Sequence, residues 1–420
     1  MNSMNNGSKP GYFSWLKEIS STQKKSLFSA SLGWMLDSMD VMIYVMVLAH
    51  LMKEFGMKTD TAGLLSSLSL VSSAIGGIVF GIIADRIGRV KALMGSILVY
   101  SVFTAACGFA GSILVLAIFR VMLGFGMGGE WATGAALVTE TWPSQHRGKA
   151  MGIMQSSWAV GYALAAIMTA FILPNFGWRA VFWVGFLPAL LTFWIQRHVE
   201  EPDIWKKNAA ERVLNKDKSS LMEIFRPPYL KRTVITTTVN ACTMFAWWGL
   251  FTWIPPYLAL PVNEGGMGLN IIKSSTGIVV MQVGMWFGYV SFGFICDIIG
   301  RKKTYIIFLF IASLLVILCS SVRDNTMLLL LSPFLAFFGT GYFSGFGTIT
   351  AEIFPTRIRA SAQGFTYNIG RGLSAIAPFT IGTLAKTHGL KVSFYLTALF
   401  FFLAACLAFF LPETRGKELD

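Results

Sequence analysis

The chain has 420 residues, of which 54% are hydrophobic and only 13% charged. A soluble protein of this size carries about 25% charge, so a water-soluble enzyme or binding module is excluded. A net charge of +13 invites a nucleic-acid reading, but the Lys and Arg residues fall in short clusters between apolar runs, which argues against it.

Residues 1–25 are polar and basic, without an apolar core or a small-residue cleavage site. They read as a cytoplasmic tail rather than a signal peptide. Twelve apolar stretches come after it, roughly 26–52, 60–84, 91–111, 112–138, 148–172, 179–197, 232–260, 271–296, 303–321, 326–351, 360–386 and 392–411. Each is about the length of a membrane-crossing helix. They are too long and too evenly apolar for barrel strands. The expected fold is an all-α membrane protein of twelve transmembrane helices. Its expected parts are a tail (1–25), a six-helix bundle (26–197), a cytoplasmic linker (198–231), a second bundle (232–411) and a tail (412–420). Of 34 Lys and Arg residues, 25 lie on the side of the N-terminus. That bias places both termini in the cytoplasm of a multi-pass cell-membrane protein. The basic linker is expected to lie along anionic headgroups.

Span 1 carries Asp37 and Asp40, three residues apart and on one helix face. They lie about 16 and 21 Å from a helix start near Ser26. Neither carboxylate belongs in lipid, and a carboxylate moving between burial and an arginine can load and release a proton. Tyr44 and the outer-end His50 lie further along the span. The loop after span 2 holds Gly81, Asp85, Arg86, Arg89 and Lys91. Gly77 and Gly81 share a face and are expected to permit close helix approach. Asp85 can meet a helix N-terminus or an arginine. Span 4 reads Arg120, Gly124, Gly126, Gly128, Gly129, Glu130 and ends on Glu140, with Arg147 beyond. A buried arginine here is costly and points to coupling, to anion binding or to an ion pair with span 1. Glu130 is the third proton candidate.

Aromatic and amide side chains supply the rest of a small-molecule cavity. In the first half they are Tyr44, Gln155, Trp158 and Tyr162. In the second they are Asn240, Trp247, Trp248, Gln282, Trp286, Tyr342, Tyr367 and Asn368. Span 11 also carries Arg371, with Gly370 and Gly372 beside it and no acidic residue on spans 11 or 12. An arginine without a fixed partner is free to grip a substrate carboxylate in a bidentate fork. On this charge balance, Arg120 takes the acids and Arg371 takes the substrate. The five cysteines form no CxxC. They read as packing residues, and neither a metal nor a catalytic residue is expected.

The chain also repeats itself. The run from Gly81 to Lys91 recurs from Gly293 to Lys303, including Asp297 and Arg301. Glu140 and Arg147 recur as Glu352 and Arg359, and every pair is 212 residues apart. Two copies of one membrane unit build a carrier that rocks around a central site.

These loops resemble the signature loop of the major facilitator superfamily, over the whole chain. The resemblance implies two pseudo-symmetric six-helix halves. It implies a conformational network made of Gly81, Asp85, Arg86, Arg89, Glu140, Arg147, Asp297, Arg301, Glu352 and Arg359. Pro412-Glu413-Thr414-Arg415-Gly416 matches a common ending. The patterns of spans 1, 4 and 11 are similar to those of the sialate:proton and metabolite (organic acid):proton symporters. That implies proton-coupled uptake of a small organic anion: a monocarboxylate, an aromatic acid or sialic acid. The length leaves no room for the extra spans of larger sialic acid permeases and favours a smaller carboxylate. The protein is expected to be a monomer among membrane lipids, with protons as coupling ion and no cofactor. A proton-antiporting drug or metabolite exporter is disfavoured, because span 5 has no proline before Pro174. A non-transporting nutrient sensor would carry longer tails.

Overall fold

A computed structural model describes residues 19–203, 205–206, 221–322, 324–354 and 356–415. Every long element among them is an α-helix. Span 1 is Ser21–Phe55, opened by Ser20, whose hydroxyl accepts from the Gln23 amide while the Gln23 side chain accepts from the Ser20 amide. Gly56 ends it in the left-handed region at φ 62°. Span 2 is Thr59–Ile87, span 3 Arg89–Cys107 and span 4 Ile113–Thr141. The next helix, Ser144–Val184, is broken at Gly177, where φ is 76°. It supplies span 5 and the start of span 6, which Pro188–His198 completes.

Span 7 is Leu230–Phe251 continued by Ile254–Ala259. Spans 8 and 9 are Ile271–Ile299 and Arg301–Ser321. Span 10 is Asn325–Gly341 then Phe343–Ile353, and span 11 is Thr356–Ser374 then Ala377–His388. Span 12 is Leu390–Ala408.

Ten stretches among the described residues are long and apolar enough to cross a membrane. One of them, Lys149–His198, has 50 residues, about 75 Å of helix, and doubles back at Gly177 to cross twice. Span 11 is not among the ten, because Gln363, Thr366, Tyr367, Asn368 and Arg371 make it too polar. A helix that polar is tolerated in a bilayer only where it faces protein or water.

Within the first half, span 1 packs on span 5, and span 4 on spans 2 and 3. The second half repeats this, with span 7 on span 11 and span 10 on span 8. The halves meet along two helix pairs, span 5 with span 8 and span 2 with span 11. Spans 7, 10 and 11 are each broken partway along. Broken helices expose backbone and polar groups at depth, where ligand sites form.

Candidate functional site

Among the described residues, five charged side chains are buried within the spans: Asp37, Asp40, Arg120, Glu130 and Arg371. None of the six carboxylate oxygens has a hydrogen-bond partner. Nor do Arg120 Nε and Nη1, nor Arg371 Nη1. Buried polar groups are nearly always satisfied, so a cluster of orphans marks a place meant for other occupants.

Two subsites emerge. In the first, Arg371 acts electrostatically on both Asp37 and Glu130, reaching across from the second half to the first. Glu130 packs against span 1 at Gly33, where a Cβ would lie 2.6 Å from Glu130 Oε1. The Tyr100 hydroxyl donates to the Gly33 carbonyl at 3.3 Å. In the second, the Arg120 guanidinium lies 3.7 Å over the Tyr44 ring. The Tyr44 hydroxyl donates to the Ala62 carbonyl at 3.1 Å, which fixes that ring. Arg120 lines a cavity of about 10 Å³ with Ser66, Ser69, Trp248 and Thr252, the space of about one water. Asp40 is buried beside Asp37 and Thr104.

This corrects the charge balance read from the sequence. Arg120 stacks on Tyr44, and no oxygen of the three acids is hydrogen-bonded to it. Arg371, without an acid on its own helix, acts electrostatically on Asp37 and Glu130 of the other half without bonding either. Sequence proximity does not encode this arrangement, because it crosses the interface between the halves.

Aromatic rings wall the space. Trp158 meets Trp34 at 4.6 Å, Trp247 at 5.9 Å and Trp248 at 6.3 Å between centroids. The indole N–H groups of Trp34, Trp158 and Trp247 donate to nothing, and both polar atoms of Gln282 are unpaired. Gln155 accepts from Trp131 at 3.2 Å. The Asn368 amide donates to Gly364 at 3.0 Å, and its oxygen lies against Gly77 of span 2. Asn240 is buried against Gly370. Tyr367 stacks on Trp131. Tyr162 and Tyr342 donate to the Phe251 and Thr243 carbonyls and act as packing bonds. Trp286 does not line the site. It is 39% exposed beside Val283 and Phe287, on the outer face of span 8, because its helix position is one residue off the buried stripe of Gln282, Met285 and Tyr289.

The repeated loops form two matching clusters at the face that carries the N-terminus. Arg89 pairs with Glu140 at 2.9 Å, and Arg301 with Glu352 at 3.4 Å. Arg86 is exposed. Gly81 is a correction: a side chain there would meet nothing within 4 Å, so it is not at a close approach, whereas Gly77 is. The side chains of Asp85, Arg147, Asp297 and Arg359 lie outside the described residues. Glu201 and Glu413 were missed in the sequence. Glu201 accepts from the backbone N–H groups of Arg89 at 2.7 Å and Val90 at 3.1 Å. Glu413 accepts from the Arg301 N–H at 2.9 Å. Each carboxylate sits on the positive N-terminus of a helix, spans 3 and 9 respectively. They too stand 212 residues apart, so the repeat already contained this signal. The Thr414 hydroxyl bonds Glu352 and ties the tail into the second cluster.

On the opposite face the halves are latched. Lys386 pairs with Asp60 at 2.8 Å, and Thr59 donates to the Gly382 carbonyl at 2.7 Å. The Phe379 N–H donates to Ser67 at 3.2 Å. Gly63 abuts the Pro378 carbonyl, and Gly382 abuts the Thr59 carbonyl. Small residues here let backbone meet backbone. Toward the N-terminal face, the Trp131–Tyr367 stack joins the halves.

The chain is 32% identical over 417 residues to the "Probable 4-methylmuconolactone transporter" of Cupriavidus pinatubonensis, covering 97% of this chain and 95% of that one. It is 31% identical over 392 residues to a sialic acid transporter of Escherichia coli, covering 92% and 93%. The crystal structure of a D-xylose–proton symporter superposes with a TM-score of 0.77 at 20% identity, covering 95% of this chain and all of that one, and so shares the fold. The Major Facilitator Superfamily pattern matches residues 30–291 and 260–420. With its duplicated loops, its two six-helix halves and its buried central charges, the chain belongs to the major facilitator superfamily, a family of membrane transporters rather than enzymes.

Proposed function

We propose that this transporter takes up a small organic anion, a carboxylate, together with protons. The single observation that carries the reading is that Arg371 is buried within electrostatic reach of Asp37 and Glu130 across the two halves, while the acid oxygens and Arg371 Nη1 make no hydrogen bonds. Three carboxylates against two guanidiniums leave the site one negative charge from neutrality. An entering anion makes that two. Uncompensated buried charge is costly, so anion entry draws protons onto the carboxylates. A proton on Asp37 or Glu130 also releases Arg371 from its acids, leaving its fork for the substrate. Empty and unprotonated, Arg371 is occupied by the acids; loaded, it holds substrate carboxylate beside neutral acids. Both forms limit net charge and so permit the halves to rock.

In this reading the N-terminal face is cytoplasmic and its clusters hold that side. Arg120 gives a second anionic contact or stabilises the proton-bearing Asp40. The relatives named for 4-methylmuconolactone and sialic acid support an organic acid as cargo. The protein works as a monomer without a cofactor.

The test is uptake of labelled carboxylates into proteoliposomes with and without a pH gradient. Arg371→Ala is expected to weaken binding about 30-fold or more, the loss typical of a charged contact. Arg371→Lys keeps the charge but loses the fork, and is expected to fall between. An Arg371→Ala affinity within threefold of the parent sinks the assignment.

A further inference from the structure

The Trp131 and Tyr367 rings lie 3.8 Å apart between centroids with 6° between their planes. Trp131 is on span 4 of the first half and Tyr367 on span 11 of the second. Among the described residues, theirs is the one parallel ring stack that joins the halves. The other cross-half ring pairs, Trp158 with Trp247 and with Trp248, meet edge to face. The indole is held in orientation by its bond to Gln155. Trp131 directly follows Glu130, and Tyr367 is one helical turn before Arg371. The stack therefore stands beside the groups to which the transport reading assigns the proton and the carboxylate, and any role for the stack in choosing cargo rests on that reading.

Rings that bridge a moving interface must separate in each cycle. Separated by one further ring thickness, the same two faces enclose a flat slot. A planar ligand in that slot replaces the lost self-stack on both sides. Its carboxylate then lies one turn along span 11 from the slot, within the Arg371 fork. A saturated or polyhydroxylated acid has no flat face to offer. We propose that the Trp131–Tyr367 pair is a binding slot for the planar, unsaturated part of a carboxylate substrate, closed on itself when empty, with Trp131 as a specificity-determining residue.

Purified full-length protein is titrated calorimetrically with benzoate and with cyclohexanecarboxylate, which match in charge and ring size and differ in planarity. Lactate and N-acetylneuraminate complete the set. Benzoate is expected to bind roughly 3- to 10-fold more tightly than cyclohexanecarboxylate. Trp131→Leu is expected to erase that preference, and Trp131→Phe to keep most of it. A preference under twofold, or a Trp131→Leu variant that weakens both ring acids equally, overturns the slot. Should Trp131→Leu not fold, Tyr367→Leu carries the same comparison. Binding of lactate or N-acetylneuraminate with neither ring acid also overturns the slot, and leaves carboxylate transport standing. Binding of none of the four removes both readings.

Discussion

Gly33 gives the site room for a carboxylate. It lies where a Cβ would press on Glu130 Oε1 at 2.6 Å, and its carbonyl accepts from Tyr100. Gly33→Ala must push the Glu130 carboxylate away from its place near Asp37 and Arg371. The expected result is impaired uptake under a pH gradient with counterflow partly retained, because counterflow needs no net proton movement. Equal loss of both activities would mean that Gly33 serves packing alone. Asp37→Asn is expected to show the same split, since it removes a titratable group that faces Arg371. If Asp37→Asn concentrates substrate normally, the proton belongs to Glu130 or Asp40. The residues of this cluster were legible in the sequence, because an ionisable side chain in an apolar run is rare and costly. Their pairing was not, because Arg371 finds its acids on helices more than 200 positions away, and no local spacing encodes that. Trp286 was misplaced for a simpler reason: a tryptophan in an apolar span carries no mark of which face it takes.

At the scale of elements, spans 3 and 9 begin alike. Each starts after a glycine at positive φ, Gly88 at 116° and Gly300 at 105°. Each has a distant carboxylate, Glu201 or Glu413, on its first N–H groups. A side chain at either glycine would also collide with that carboxylate. Removing such a cap costs about 1–2 kcal/mol. Glu201→Ala and Glu413→Ala are each expected to lower the melting temperature of the purified protein, with the larger effect for Glu201, which caps more N–H groups. Unchanged melting in both would show that the loops are held by Arg89–Glu140 and Arg301–Glu352 alone. Eleven of the twelve spans are legible as apolar length, whereas span 11 is too polar to pass on that measure alone. The break in span 7 is written in Pro255 and Pro256, which open its second segment, whereas the break in span 10 at Tyr342 has no such proline beside it.

At the scale of the whole molecule, the face away from the N-terminus is closed by a defined latch between the halves. It is shut by an ion pair, two backbone-directed hydrogen bonds and two glycine contacts between spans 2 and 11. The Asp60–Lys386 pair is partly exposed and so is weakened by salt. The glycine contacts are not. Gly63→Leu should therefore hold that face apart, because the Pro378 carbonyl occupies the space a side chain needs. A cysteine placed at Ser66, buried behind the latch, should then react with a membrane-impermeant maleimide from that side. An unreactive Ser66→Cys in the Gly63→Leu background would argue against the latch. Toward the N-terminal face, the Trp131–Tyr367 stack is the one parallel ring stack that joins the halves among the described residues. A carrier built this way must break every one of the latch contacts to open the face away from the N-terminus, with or without cargo aboard.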